Sequence, residues 1–188
     1  NMGRIRFGLK NLYYAIATEG TGGALTYATP IAVPGAKEIS LSAQGESFDE
    51  PADDVVWYHG DTNSGYTGTL TFEDTAAGDA FLEAVLGQTK DTNEVVWETA
   101  SDTPVEFALL GQFSLAGSTE TGKRFALLRC TASRPEFAGQ TKEPSGLTVN
   151  TNQINLTAMP RINDDAVKAT AVSTSASYAT WFDAVITR

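Results

Sequence analysis

The chain has 188 residues, 41% of them apolar, and a formal net charge of −10 from 23 acids and 13 bases. This size and apolar content suffice for a hydrophobic core in one domain and argue against a disordered chain. No apolar run approaches the roughly 18 residues of a membrane-spanning helix. Seventeen of the acids lie between Glu38 and Glu120, where Lys90 is the only base, so we expect the chain to repel nucleic acid.

Cysteine content and the start of the chain point to the cytoplasm as the place of synthesis. The single cysteine, Cys130, excludes an internal disulfide and fits a reducing compartment. The first ten residues include bases but no continuous apolar stretch, so we expect no secretory signal there.

The first clear element is a short alternating segment at residues 39–41, which predicts a strand. It is followed by the segment 47–65, which is longer than a hairpin turn needs. Its large apolar residues are Phe48, Val55, Val56, Trp57 and Tyr58. Long loops in compact domains are usually functional or disordered, and an aromatic tip needs a surface to bury against. We interpret 47–65 as a partner-binding arm that could double back as a hairpin and project roughly 30 Å.

The next two elements are a strand and a helix. In residues 66–72, Tyr66, Leu70 and Phe72 share one face and threonines occupy the other, as in a half-buried strand. From Asp74 or Thr75, either of which is a good N-cap, the apolar spacing up to Gly87 predicts one amphipathic helix that packs on the sheet.

Three further segments have strand character, at residues 95–97, 105–115 and 124–131, and a fourth follows at 147–159. We expect at least seven strands in a mainly β fold, a β-sandwich or barrel with one flanking helix. Residues 117–124 match a phosphate-binding loop except at the last position, where Arg124 replaces the required Ser or Thr. Because strand-like segments flank them, we predict a hairpin turn there.

The C-terminal residues 161–188 have a polar start, an Ala, Ser and Thr-rich run, and an aromatic end with Tyr178, Trp181 and Phe182. We therefore predict a domain over residues 1–160, containing the long loop 47–65, and a C-terminal arm over residues 161–188. The arm is expected to dock on its own domain or on a neighbour.

Sites for chemistry are weakly indicated. The carboxylates Asp49, Glu50, Asp53 and Asp54 could hold a calcium ion, but a solvated loop face is the favoured interpretation. Catalysis would have to use the only histidine, His59, and the only cysteine, and packing roles are favoured for both. We expect no enzyme activity, no metal and no cofactor.

Three segments resemble one protein family: residues 8–15 (GLKNLYYA), 65–72 (GYTGTLTF) and 181–185 (WFDAV). The chain is similar to the major tail protein, or tail tube protein, of long-tailed, non-contractile phages. The resemblance implies a β-sandwich with a flanking helix, a long loop between the second and third strands, and extended terminal arms. It also implies hexameric rings stacked into a tube, with the long loop reaching the adjacent ring.

The same resemblance implies a location, partners and a lumen. Such a subunit is made in the bacterial host cytoplasm, resides in the virion tail without membrane contact, and contacts tape measure and terminator proteins. Viral DNA passes through the tube during ejection without specific binding, which an acidic wall favours. The predicted lumen acids are Glu73, Glu94, Glu98 and Glu106.

A different class of protein fits some of the same residues. A monomeric β-sandwich binding module, for carbohydrate or a receptor, could use Trp57, Tyr58 and Tyr66 as a stacking platform. The size of the protein in solution distinguishes the two alternatives. A binding module stays a monomer near 20 kDa, whereas a tube subunit forms larger assemblies.

Overall fold

The computed structural model describes residues 4–139 and 151–188. Strands take up 51% and helices 10% of the structure, which confirms the predicted mainly β class. The strands are β1 (Ile5–Glu19), β2 (Leu25–Tyr27), β3 (Ile31–Ala32), β4 (Ala36–Gln44), β5 (Ser47–Ala52), β6 (Val55–Asp61), β7 (Gly65–Glu73), β8 (Thr89–Lys90), β9 (Val96–Trp97), β10 (Phe107–Ala116), β11 (Gly122–Ala132), β12 (Thr151–Ala158) and β13 (Lys168–Val172). The α-helix of the described residues, α1 (Ala76–Leu86), lies between β7 and β8.

One large antiparallel sheet runs in the order β2-β1-β10-β11-β12-β7-β4, with β3 added to β1 and β13 added to β11. Strand β11 changes partner along its length. Residues 123–127 pair with β13, whereas residues 130–132 pair with β12. The sheet therefore divides at β11 into two parts, β1-β10-β11-β13 and β12-β7-β4. Side chains from both parts share one core, for example Leu109, Leu127, Leu70 and Leu156.

The central strands β10 and β11 are covered on both faces, so their burial does not alternate. Phe107 and Leu109 face the main core, whereas Ala108 and Leu110, which alternate with them, belong to a second apolar cluster on the other face. A strand buried on both faces reads as a continuous apolar run. The second cluster needs a cover of its own, which residues 161–188 supply.

The predicted helix is confirmed, with Thr75 as its N-cap. The Thr75 hydroxyl accepts a hydrogen bond from the Gly78 N–H at 3.0 Å. Gly87 ends the helix in the left-handed conformation at φ 70° and donates its N–H to the Glu83 carbonyl, and a Cβ there would lie 2.4 Å from the Thr103 carbonyl oxygen. Phe81 lies edge-on to the core ring of Phe107, so the apolar face of the helix packs on the sheet as predicted.

The long first strand β1 was absent from the sequence prediction. Its pairing with β10 shifts register between Phe7 and Leu9 and again between Lys10 and Tyr13. Two left-handed residues, Gly8 at φ 59° and Asn11 at φ 52°, lie at these irregularities. Each bulge moves the following side chains to the other face, which destroys the two-residue period that marks a strand.

The C-terminal segment differs from the predicted arm because part of it belongs to the sheet. Strand β13 pairs with β11 through residues 168–172, and Trp181 is 3% exposed within the second apolar cluster. Within the described residues, the segment 161–188 therefore supplies a strand of the sheet and part of the second apolar cluster.

Candidate functional site

The largest group of exposed apolar side chains among the described residues lies on a hairpin built from β5 and β6. We call residues 47–61 the aromatic hairpin. It continues the β4 and β7 pair, since the Thr62 N–H donates to the Glu46 carbonyl at 2.9 Å just before β5 and β6 begin to pair. Asp53 and Asp54 form the two-residue turn with φ 52° and 60°, which is the signature of a type I′ turn. The segment thus doubles back, with strands long enough to project about 20 Å at 3.3 Å per residue.

Apolar side chains of the aromatic hairpin are left uncovered. Exposed fractions are 73% for Trp57, 57% for Tyr58, 58% for Val55 and 52% for Phe48. The rings of Phe48 and Tyr58 lie 5.7 Å apart, so they contact each other without being shielded from water. An exposed apolar patch of this kind marks an interaction surface.

A glycine fixes how the hairpin presents its aromatic rings. A Cβ at Gly60 would lie 2.6 Å from the Phe48 ring, so the ring can cross the neighbouring strand only because no side chain stands there. The backbone of Val56 pairs with that of Pro51, across an irregularity that follows Glu50. A side chain at position 60 would therefore displace the Phe48 ring from this position.

The aromatic hairpin is also acidic. The His59 Nδ1 lies 2.5 Å from Asp49 Oδ1, and its Nε2 lies 3.4 Å from Asp61 Oδ1. The hairpin carboxylates without an ion pair among the described residues are Glu50, Asp53 and Asp54. Two of the four carboxylates weighed for calcium therefore form the turn, and a third faces His59. Within the described residues no group of three or more ligand-type side chains converges on one point.

The histidine and the cysteine lie in different surroundings. His59 is on the exposed hairpin, whereas Cys130 is fully buried in the main core. Burial raises the pKa of the Cys130 thiol far above its ordinary value, which leaves no thiolate at neutral pH. This arrangement does not pair a nucleophile with a base.

Three of the four predicted lumen acids are neutralised inside the chain. Glu106, which precedes β10, accepts from Arg129 Nε at 2.9 Å and Nη2 at 2.7 Å. The other pairs are Glu98 with Arg134 at 2.7 Å and Glu73 with Lys37 at 2.9 Å.

Glu94 is exposed and occupies a turn at φ 64°, outside the strand where alternation would have placed it. No ion pair forms at Glu94 within the described part of the chain. The lumen assignment stays a prediction, and Glu94 is the member of the set whose full charge is available.

The C-terminal aromatic residues pack around one arginine. The Arg124 guanidinium lies 4.0 Å from the Tyr178 ring centroid and 4.6 Å from that of Phe182, and it donates to the Tyr178 carbonyl. Phe182 stacks on Tyr13 at 4.5 Å, and the Trp181 indole N–H donates to the Phe125 carbonyl at 3.2 Å. Arg124, weighed above as the last position of a phosphate loop, therefore anchors the C-terminal segment next to the predicted hairpin turn.

Sequence reasoning missed one further exposed apolar group. Strands β8 and β9 form a separate small hairpin, on which Val95, Val96 and Trp97 are 43–55% exposed. The Trp97 indole N–H donates to Asp91 at 3.0 Å. The sequence marked 95–97 as a strand, and nothing in its alternation signals that the strand lies outside the main sheet.

Comparison of the chain with protein-family models and with curated proteins gives no match. No helix within residues 4–139 and 151–188 has the length and apolar character to cross a membrane.

Proposed function

We propose that this chain is the major tail tube subunit of a long-tailed, non-contractile phage, a structural virion protein that forms stacked hexameric rings. The observation that carries the proposal is the aromatic hairpin, whose Phe48, Trp57 and Tyr58 are each more than half exposed. Aromatic residues of this kind dominate interface energies when a partner covers them. In a stacked tube, the next ring supplies that partner.

Open sheet edges support assembly into rings. Within the described residues, β4 pairs only with β7, and residues 5–10 of β1 pair only with β10. Unpaired edges are a liability for a free monomer because they recruit other strands. A closed ring pairs each edge with the next subunit and removes the liability. The tail tube type of β-sandwich, with its sheets joined around the ring, is the arrangement we propose.

The charge distribution fits a conduit for DNA. Seventeen of the 23 acids occupy residues 38–120, and an acidic wall prevents the phosphate contacts that would hold a sliding duplex. The effect requires acids at the wall itself, because the Debye length is about 8 Å at physiological ionic strength. Tape measure and terminator proteins are the other partners of such a tube, inside it and at its end.

Hydrodynamic size tests the proposal. We expect concentrated protein to sediment well above the 20.0 kDa of one chain and to show rings or tubes by negative-stain microscopy. A protein that stays at 20 kDa over the full concentration range would contradict it and favour the monomeric binding module. One contact already weakens the three-residue platform of that module: Lys168 Nζ lies 4.6 Å from the Tyr66 ring centroid and donates to the Tyr66 hydroxyl, so this ring is partly covered.

A further inference from the structure

A cavity between the two parts of the sheet has a composition opposite to that of the surrounding acidic chain. It measures about 270 Å³ and opens between β4 and β7 on one side and β1, β10, β11 and β13 on the other. Leu41 and Phe125 contribute to its apolar lining, and its three charged lining residues are the bases Arg6, Lys123 and Lys168. No carboxylate lines the cavity as the described residues form it.

The three bases lack the carboxylate partners that five other bases of the described chain have. Arg129 and Arg161, for example, each pair with a carboxylate, whereas Arg6, Lys123 and Lys168 make no ion pair within residues 4–139 and 151–188. Aromatic rings hold two of them in place instead. The Arg6 guanidinium lies 4.8 Å from the Phe113 centroid, and the Lys168 ammonium lies over Tyr66. In a chain of net charge −10, this concentration of unpaired positive charge over an apolar surface favours an acidic, aromatic partner.

The aromatic hairpin has the complementary composition. It carries Glu50, Asp53 and Asp54 on the same hairpin as Trp57, the most exposed of its aromatic residues. The cavity is smaller than the ~300–1,000 Å³ of most small-molecule pockets, so it suits one large side chain better than a whole organic ligand. The hairpin does not fill the cavity of its own chain, because its Phe48, Val55, Trp57 and Tyr58 side chains are each more than half exposed.

We propose that the cavity receives the aromatic hairpin of a second copy of this chain, with Trp57 entering the cavity and the hairpin carboxylates facing Arg6, Lys123 and Lys168. The proposal rests on the proposed function, since it names the receptor for the hairpin that joins one subunit to the next. Each subunit offers one hairpin and one cavity, so the contact is head-to-tail and propagates.

Two charge-reversed proteins test the contact. The first is Lys123→Glu with Lys168→Glu, which makes the cavity acidic. The second is Glu50→Lys with Asp53→Lys, which makes the hairpin basic. The matched control is Lys90→Glu, at an exposed base on β8 outside the cavity. Each protein is full length, and sedimentation velocity at low and high salt measures its association.

We expect each reversed protein alone to need at least about tenfold more protein to associate, because like charges then meet at the contact. Mixing the two restores association, because acidic hairpins meet basic cavities and basic hairpins meet acidic cavities. Lys90→Glu associates as the unmodified chain does. Circular dichroism and melting temperature verify folding, and Lys123→Gln with Lys168→Gln replaces the cavity reversal if Glu disrupts it, with weakened association as the expected result.

The outcomes separate this inference from the proposed function. Unmodified association of the cavity variant, or a mixture that fails to recover, would overturn the cavity as the receptor while leaving hairpin-driven assembly standing. Unmodified association of the hairpin variant would remove the hairpin from assembly. A wild-type chain that never associates would overturn the proposed function itself.

Discussion

The aromatic hairpin and the C-terminal segment 161–188 carry the same kind of sequence signal, an aromatic group beside a polar stretch, yet the chain treats them in opposite ways. Trp57 on the hairpin is 73% exposed, whereas Trp181 is 3% exposed. Both segments were predicted to be arms. The two segments differ in whether their own chain offers a surface that can cover their aromatic rings.

The C-terminal segment meets a sheet face that is made largely of small residues. Ala15, Ala108, Ala126 and Ala171 belong to the second apolar cluster and leave room for the Trp181 indole. Burial of the Trp181 side chain removes apolar surface from water, which stabilises the fold by about 25 cal/mol for each Å² buried. The aromatic hairpin extends beyond the end of β4 and keeps its rings exposed. Aromatic content alone therefore predicts burial but leaves open whether the covering surface belongs to the same chain.

The largest expected effect is the loss of folding on truncation after Arg161. This change removes β13 and the Trp181 anchor and exposes the second apolar cluster. A typical domain has only about 5–15 kcal/mol of stability to lose. We expect a protein without a cooperative thermal transition by far-UV circular dichroism. A chain that stops after Ile186 keeps the buried residues and is the control. A folded product after Arg161 would mean that the segment is a separable arm.

A substitution pair compares the two regions directly. Trp181→Ala should lower the free energy of unfolding by about 3–5 kcal/mol, the usual cost of deleting a buried Trp. Trp57→Ala should change it by less than about 0.5 kcal/mol, as expected for an exposed site. Urea denaturation, at protein concentrations too low for association, measures the unfolding free energy of both variants. Equal losses from the two substitutions would show that the hairpin is covered within its own chain.

The sequence predicted elements whose periodicity is intact and failed where the backbone departs from it. Helix α1 and strand β7 match their patterns because each has one buried face. Strand β1 was missed because its bulges at Gly8 and Asn11 reset the alternation.

Part of the candidate site could likewise be predicted. The hairpin followed from its length and aromatic residues. The cavity could not, because Arg6, Lys123 and Lys168 are far apart in sequence and meet only through the pairing of β11 with β13 and with β10, and of β10 with β1. The ion pair of Glu106 with Arg129 depends on the same pairing of β10 with β11.

Arg124, which lies between the C-terminal aromatic rings, should contribute less to the free energy of unfolding than Trp181 does. Arg124→Lys keeps the charge but loses the planar contact with Tyr178 and Phe182, so we expect a loss of about 1 kcal/mol. Arg134→Lys, at an exposed ion pair with Glu98, is the matched control and should cost less than about 0.5 kcal/mol. Chemical denaturation measures the loss of unfolding free energy in each variant. Similar values would indicate that the rings are held by apolar packing alone.

The smallest expected effect concerns the hairpin turn. Asp54→Gly should stabilise the aromatic hairpin by about 0.5 kcal/mol, because glycine adopts positive φ without steric cost. Hydrogen exchange should show slower exchange for β5 and β6 amides and no change in β10. Ser47→Gly, at a strand position, should instead speed exchange. Faster exchange in Asp54→Gly would mean that the Asp54 side chain, rather than its backbone, stabilises the turn.

Replacement of residues 47–61 by Asn-Gly tests the central claim, that the aromatic hairpin joins subunits and is dispensable for folding. The two-residue turn would connect Glu46 to Thr62, which already share a backbone hydrogen bond of 2.9 Å and so match a type I′ turn. We expect a shortened protein that keeps the circular dichroism spectrum and cooperative melting of the full chain. At concentrations where the full chain forms stacked assemblies, sedimentation and microscopy should show none for the shortened protein. Stacked assemblies of normal length from the shortened protein would contradict the claim.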